Sequence, residues 1–337
     1  MKEILRQIID KKDLGEAQMT RAMDMILAGE ATPAQIGALM TGLAAKGETF
    51  GELAGAARAL RKHARPIQIP GACFDTCGTG GDGLSTFNIS TVTAFVAAAG
   101  GIVVAKHGNR SVSSACGSAD VLEALGVNLA TPPEQVEEII QEIGIGFLFA
   151  PTYHGAMAHA AGPRKETGIR SIFNMVGPLT NPAGANAQLL GVFAPELTEM
   201  FAQALDLLGS RRAMVVHGHD GLDEISVCAP TRVTELRDGC TTTFDLDPER
   251  FFDDYADPEE LRGGGPEENA AIARAILSGK IQGPKRHVVL INAAAAFVTA
   301  EKAPTLEEGL KKAEECIASG AALDKLDQLI HLTGGQP

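Results

Sequence analysis

Apolar positions over roughly the first 65 residues recur at helical spacing, as in Ile36, Leu39, Met40 and Leu43. The runs follow start signals in which a capping residue stands three places before Glu or Gln: Asp13 with Glu16, Thr32 with Gln35, and Thr49 with Glu52. Pro33 occupies a first helical position, where its missing N–H is no loss. The pattern predicts a small all-helical domain over residues 1–70, ended by Arg65, Pro66 and Pro70.

From about residue 71 the period changes. Short apolar, β-branched runs alternate with helical stretches, which is how parallel strands joined by crossover helices read. Strands are expected at 102–105, 145–149, 189–193, 213–217 and 288–291. Helices are expected at 92–99, 118–125, 133–142, 196–208 and 267–277, with Thr131 and Glu134 opening the third and Ser118 capping the second. Residues 305–331 are again helical behind the pair Thr305 and Glu308. The fold class is therefore α/β: a small helical amino-terminal domain plus a larger domain over 71–337 with a mostly parallel central sheet flanked by helices.

Composition narrows the function. Hydrophobic residues make up 45% and charged residues 21% of 337, ordinary globular usage. A formal charge of -13 repels polyanions and argues against nucleic-acid binding. Six cysteines without a CxxC pair read as free thiols in a reducing compartment. No apolar stretch reaches the roughly 20 residues that span a bilayer, and the first residues lack a secretory pattern, so a cytoplasmic location without membrane contact is expected.

The candidate chemistry lies in three places. Residues 77–83 read C-G-T-G-G-D-G, and such a loop serves either as a tight turn or as a cradle of backbone amides for an anion. Ser85, Thr86, Asn88, Ser90 and Thr91 follow, just before an apolar helix whose amino terminus favours phosphate; one of Asn88, Ser90 and Thr91 would suffice for capping alone. The strand at 102–105 runs into Lys106, His107, Gly108, Asn109, Arg110 and three serines, Ser111, Ser113 and Ser114, at the end of a strand where α/β ligand sites gather. Asp223 and Glu224 sit side by side in a loop with Gly218 and Gly221, either a solvated acidic turn or a magnesium site completed by water and phosphate.

The motifs G-T-G-G-D, N-I-S-T and K-H-G-N-R, in this order within residues 78–110, resemble the phosphoribosyl-diphosphate site of the anthranilate phosphoribosyltransferase family. The resemblance extends through residues 116–126, 151–154, 162–166, 174–182 and 220–226, nearly the whole chain. One departure is Ala115, where the family often has a basic side chain. The resemblance implies a magnesium-dependent pentosyltransferase of tryptophan biosynthesis, which joins anthranilate to the ribose of phosphoribosyl diphosphate and releases diphosphate. It implies phosphoribosyl-diphosphate contacts from Gly78, Gly81, Asp82, Thr86, Asn88, Ile89, Ser90, Thr91, Lys106, His107, Gly108, Asn109, Arg110, Ser113, Ser114 and Ser118. It implies anthranilate contacts from Gly78, Asn109 and Arg164, with His107 and His154 near the entry path. Arg164 can grip a carboxylate through two parallel hydrogen bonds, or can simply pair with Glu166. Two magnesium ions per subunit are implied, held by Asp223 and Glu224 and, on the diphosphate, with help from Ser90. A homodimer formed through the helical domain is implied as well, with a segment near 163–185 joining the two domains.

A ribose carbon next to a ring oxygen can develop oxocarbenium character as its leaving group departs. The chemistry thus asks for charge stabilisation and positioning, and no residue is assigned as general base. Two rivals remain in view. A nucleoside phosphorylase would share the architecture but use free phosphate and a nucleobase. A nucleic-acid-binding relative would need a basic surface.

Overall fold

The computed structural model describes residues 1–111 and 115–336. Four helices open the chain: α1 (Lys2–Ile9), α2 (Glu16–Leu27), α3 (Pro33–Lys46) and α4 (Phe50–His63). Thr32 and Thr49 cap α3 and α4 as their spacing predicts, each accepting from the amide three residues on. At α2 the expectation fails: Gly15 is the capping residue, Gln18 accepts from its amide, and Asp13 pairs instead with Lys46 at 2.6 Å. Glu52 is fully buried and receives Leu14 N, Thr49 N and Lys46 Nζ, which locks the corner between α3 and α4 to the start of α2.

Seven strands form one sheet in the order β3-β2-β1-β4-β5-β6-β7. They are β1 (Phe74–Gly78), β2 (Val104–Gly108), β3 (Ile145–Phe149), β4 (Ala187–Gly191), β5 (Arg212–Gly218), β6 (Thr231–Arg237) and β7 (Cys240–Leu246). The first five run parallel, β6 runs antiparallel to β5, and β7 antiparallel to β6. Between them lie α5 (Ile89–Ala99), α6 (Ser118–Ala124), α7 (Pro133–Ile143), α8 (Ala150–Tyr153), α9 (Ala158–Thr167), α10 (Ile172–Met175) and α11 (Leu197–Leu207). Helices α12 (Pro266–Leu277), α13 (Pro284–Thr299), α14 (Leu306–Ala318) and α15 (Ala321–Leu332) complete the larger part.

Side chains alternate across the sheet, so neighbouring positions serve different cores. Leu189, Met214 and Val216 face a core shared with α5 and α13, whereas Leu190, Ala213 and Val215 face one shared with α11 and the amino-terminal helices. Helices α9 and α10 pack on α2, α3 and α4, which are distant from them in sequence, so the bundle is completed by an arm from the middle of the chain.

Several expectations are corrected. Residues 288–291 lie inside α13, not in a strand; that helix is buried all round, with Ala293–Ala296 as apolar as Val288, and a helix without a polar face shows no helical period. Its true start signal was Pro284 behind Gly283. The strand expected at 102–105 covers 104–108, and that at 189–193 covers 187–191. β1 was not expected, because a fully buried Asp75 interrupts its apolar run. The β6–β7 hairpin was missed although Asp238 and Gly239, at φ 47° and 83°, form its two-residue turn. Pro132, not Thr131, precedes α7, and Thr131 donates back to the Asn128 carbonyl at 2.7 Å. Gly117, not Ser118, caps α6, with its amide on Asp120 at 2.9 Å.

Candidate active site

Strands β2 and β3 lie on one side of β1, and β4 and β5 on the other, so the chain reverses its winding between β1 and β4. Ligands of open α/β sheets bind at the carboxyl ends of strands at such a point. Here β1 and β4 end side by side at Gly78 and Gly191. The loop after β1 turns through Gly80, Gly81 and Gly83 at φ 65°, 81° and 78°, a region that favours glycine. Asp223, in the loop after β5, fills the space these ends leave. A Cβ on Gly78 would come 2.5 Å from its Oδ2, and one on Gly191 would overlap its carbonyl oxygen. Asp223 Oδ2 accepts the Gly80 amide at 2.8 Å. Among the described residues the amides of Gly81, Asp82 and Gly83 donate to no protein acceptor.

Lys106 comes from β2 and is only 3% exposed. Its Nζ donates to the Thr76 carbonyl at 2.6 Å and to Ser90 Oγ at 3.3 Å. Ser90, in the first turn of α5, also gives its amide to Glu224 Oε1 at 3.1 Å. Lys106, Ser90, Glu224, Asp223 and the glycine loop therefore meet at one edge. Beneath them, β1 and β2 are in register only at Phe74 and Val104. The Asp75 carboxylate replaces the missing ladder bonds by accepting His107 N at 3.1 Å and Asn181 Nδ2 at 2.8 Å.

These charges are costly where they lie. Burial raises Asp75 to about 6, against the lowering pull of Lys106, Asn181 and His107. Burial, then the neighbouring Asp82, raises Asp223 to about 7. Glu224 is held well above the usual carboxylate range by burial and by Asp223. Burial lowers Lys106 despite the nearby acids. Crowded carboxylates that resist ionisation are what an added cation would relieve. No cluster of three metal-ligating side chains occurs among the described residues. The donor set suits magnesium, which takes one or two protein carboxylates and fills its shell with water and phosphate oxygens. The acidic pair is therefore no solvated turn: Glu224 is buried and Asp223 half-buried.

The second polar segment is more divided. Gly108 ends β2 against Ser118, whose Oγ donates to the Asn109 carbonyl at 3.3 Å. Arg110 turns to α6 and pairs with Asp120 and Glu123 at 3.0 and 2.7 Å. Ser113 and Ser114 lie outside the described residues. Ala115 is exposed. Asn88 precedes α5 but does not cap it; its amide donates to Cys116 O and its oxygen accepts from Asn269. Thr91 is buried with its hydroxyl unpartnered, Ile89 packs in the main core, and Thr86 bridges to Arg262.

In the arm that completes the bundle, Arg164 lies half-buried in α9 with its guanidinium 5.6 Å from the centroid of the Phe173 ring. Burial lowers its pKa, and it forms no ion pair among the described residues, so the pairing with Glu166 is not made. The rings of His107 and His154 lie 5.2 Å apart, each with an unpartnered, buried Nε2. Burial brings them down to about 3 and about 4, so both are neutral at pH 7. The turn at 177–181 joins these parts: Arg61 from α4 donates to Leu179 O at 2.7 Å, and Gln188 from β4 donates to Pro178 O at 2.9 Å. Sequence reasoning missed Gly191, Asp75, Asn181 and Arg170. The last donates to Gly81 O at 3.1 Å and lies 3.9 Å over the Phe193 ring.

Residues 71–323 match the a/b domain of a glycosyl transferase family, and residues 2–64 match that family's helical bundle domain. A protein of Desulfosudis oleivorans named anthranilate phosphoribosyltransferase is 64% identical over 332 residues, 98% of each chain. The chain belongs to the anthranilate phosphoribosyltransferase family. Another relative of that name, from Acetivibrio thermocellus, is 53% identical over 99% of this chain and 96% of its own. Among solved structures of the family, the Thermus thermophilus anthranilate phosphoribosyltransferase superposes with a TM-score of 0.93 at 46% identity, covering 98% of this chain and 99% of that one. The Saccharomyces cerevisiae enzyme, solved with PRPP and Mg, gives 0.90 at 30% identity over 98% and 97%. Both parts of the fold, bundle and α/β domain, are thus those of the family.

Proposed function

We propose that this cleft transfers the 5-phosphoribosyl group of phosphoribosyl diphosphate to the amine of anthranilate, as a magnesium-dependent pentosyltransferase. The observation that carries the reading is the meeting of Lys106, Ser90, Asp223 and Glu224 beside three unpartnered amides at the switch point of the sheet. A diphosphate offers oxygens to all of them. The amides of Gly81 and Asp82 donate to the diphosphate, with Lys106 supplying positive charge from below. Gly78, the Thr86–Thr91 segment and residues 107–110 line the ribose and phosphate, and Ser113, Ser114 and Ser118 extend that wall. Asp223 and Glu224, with Ser90 on the diphosphate side, hold two magnesium ions per subunit; when bound, the metal neutralises charge on the leaving group.

Across the cleft, the unpaired Arg164 guanidinium takes the anthranilate carboxylate, with Asn109 and the Gly78 backbone completing the seat. The neutral His107 and His154 flank the entry path and do not compete for the carboxylate as cations. The amine then attacks the anomeric carbon as its bond to diphosphate breaks, and the amine proton leaves late, to water or to the departing diphosphate. Positioning and charge stabilisation carry the rate, without a protein general base. The helical bundle, taken as residues 1–70 plus the arm near 163–185, offers a dimer interface, and the enzyme works in the cytoplasm. No helix among the described residues is long and apolar enough to cross a membrane.

The test is a fluorescence assay of anthranilate consumption with phosphoribosyl diphosphate, with and without magnesium. Consumption that needs both is expected. Turnover of nucleosides with free phosphate, and none of anthranilate, would overturn the reading in favour of a phosphorylase.

A further inference from the structure

Arg170 belongs to neither polar motif. It stands in the short link between α9, which carries Arg164, and α10, and it is exposed, so on pattern alone it is a solvated basic residue. Its surroundings say otherwise. The guanidinium lies 3.9 Å from the Phe193 ring centroid, and its Nη2 donates to the Gly81 carbonyl at 3.1 Å. Phe193 is itself tied to the glycine loop, since its amide donates to Thr79 Oγ1 at 3.1 Å, and the Thr79 amide donates to Gly191 O at 2.9 Å. Thr79, Gly81, Arg170 and Phe193 thus close a ring of contacts around the outer side of the loop.

The Gly81 carbonyl and the Asp82 N–H belong to one peptide unit. The described chain has no cis peptide, and in a trans unit the C=O and N–H point in opposite directions. A carbonyl bonded to Arg170 therefore sends the Asp82 N–H away from Arg170. A cation on the carbonyl also polarises the unit and makes its N–H a stronger donor. Glycine at positive φ gives the loop no stiffness of its own, so the orientation has to be imposed from outside.

We propose that Arg170 is a positioning residue for the diphosphate: stacked on Phe193, it anchors the Gly81 carbonyl so that the Asp82 amide faces the leaving group. This deepens the phosphoribosyl-diphosphate reading above and rests on it. It also ties the loop to the arm that carries Arg164, so both substrates are gripped by one connected segment.

The test is calorimetric titration of phosphoribosyl diphosphate with magnesium into the wild-type protein, Arg170→Ala, Arg170→Lys and Phe193→Leu, alongside steady-state rates. Arg170→Ala is expected to weaken diphosphate binding about tenfold, the size of one charge-assisted hydrogen bond. The KM for phosphoribosyl diphosphate should rise in step, with kcat within about threefold and the KM for anthranilate unchanged. Arg170→Lys keeps the charge without the flat stack and should fall between, and Phe193→Leu should act in the same direction. The double variant should be no worse than Arg170→Ala, because the two residues act as one unit. Unchanged affinity in a folded Arg170→Ala protein would overturn the proposal, as would a loss confined to kcat. If the wild-type protein binds phosphoribosyl diphosphate but consumes no anthranilate, the transferase reading falls, and the titration still decides the role of Arg170.

Discussion

On the sheet side of the cleft, ionisable groups are buried or half-buried and held by backbone: Lys106 by the Thr76 carbonyl, Glu224 by the Ser90 amide, and the half-buried Asp223 by the Gly80 amide. On the arm side, Arg164 in α9 and Arg170 in the link after it lie over aromatic rings, the first half-buried and the second exposed. The first arrangement fixes strong charges rigidly at a high desolvation cost, which suits the stabilisation of charge that grows during the reaction. The second lets arginines adjust to a planar acceptor at little cost. Changes on the sheet side should therefore strike the chemical step, and changes on the arm side should strike binding.

The largest effect is expected from Asp223→Asn combined with Glu224→Gln, which should cut transfer by about a thousandfold or more and abolish the rise in Tm on adding magnesium. A double variant that still shows magnesium-dependent turnover would remove the metal from the sheet side. Lys106→Met keeps much of the volume and loses the charge; kcat should fall by about a hundredfold, with a smaller change in the KM for anthranilate. For Arg164→Ala the split reverses. The KM for anthranilate should rise about tenfold or more while that for phosphoribosyl diphosphate stays within about twofold, and equal changes in both would erase the contrast.

The smallest effect concerns stability. His107 and His154 titrate below their unfolded value, at about 3 and about 4, because burial penalises the charged ring. The unfolded chain then binds more protons in mild acid, so their contribution is complete above about pH 6.5 and is lost as pH falls toward 4 and below. Each should cost the fold about 2 kcal/mol by pH 5. Denaturant melts of His154→Gln should show a flatter acid limb than wild type; an identical limb would place the loss elsewhere.

The parts of the fold that follow from local period were legible. The bundle helices, the caps at Thr32 and Thr49, and strand β3 sit where their patterns place them. The parts decided by tertiary burial were not. α13 is a helix because it is enclosed on every side, and β1 is a strand despite Asp75 because that carboxylate bonds across to His107 and Asn181. At the site, the glycine loop, Lys106 and the acidic pair could be picked out because each concentrates unusual residue types in a short span. Arg170 and Gly191 could not: each is ordinary in its own neighbourhood, and its role comes from a partner far away in sequence.

Asp223 reaches its place through a notch left by two hydrogens, one on Gly78 and one on Gly191. Gly191 borders the Asp223 main chain rather than its carboxylate, so even an alanine there would shoulder the whole loop outward. If Asp223 holds magnesium as proposed, that displacement would show as a poorer use of the metal, a defect written at a residue with no side chain to offer one.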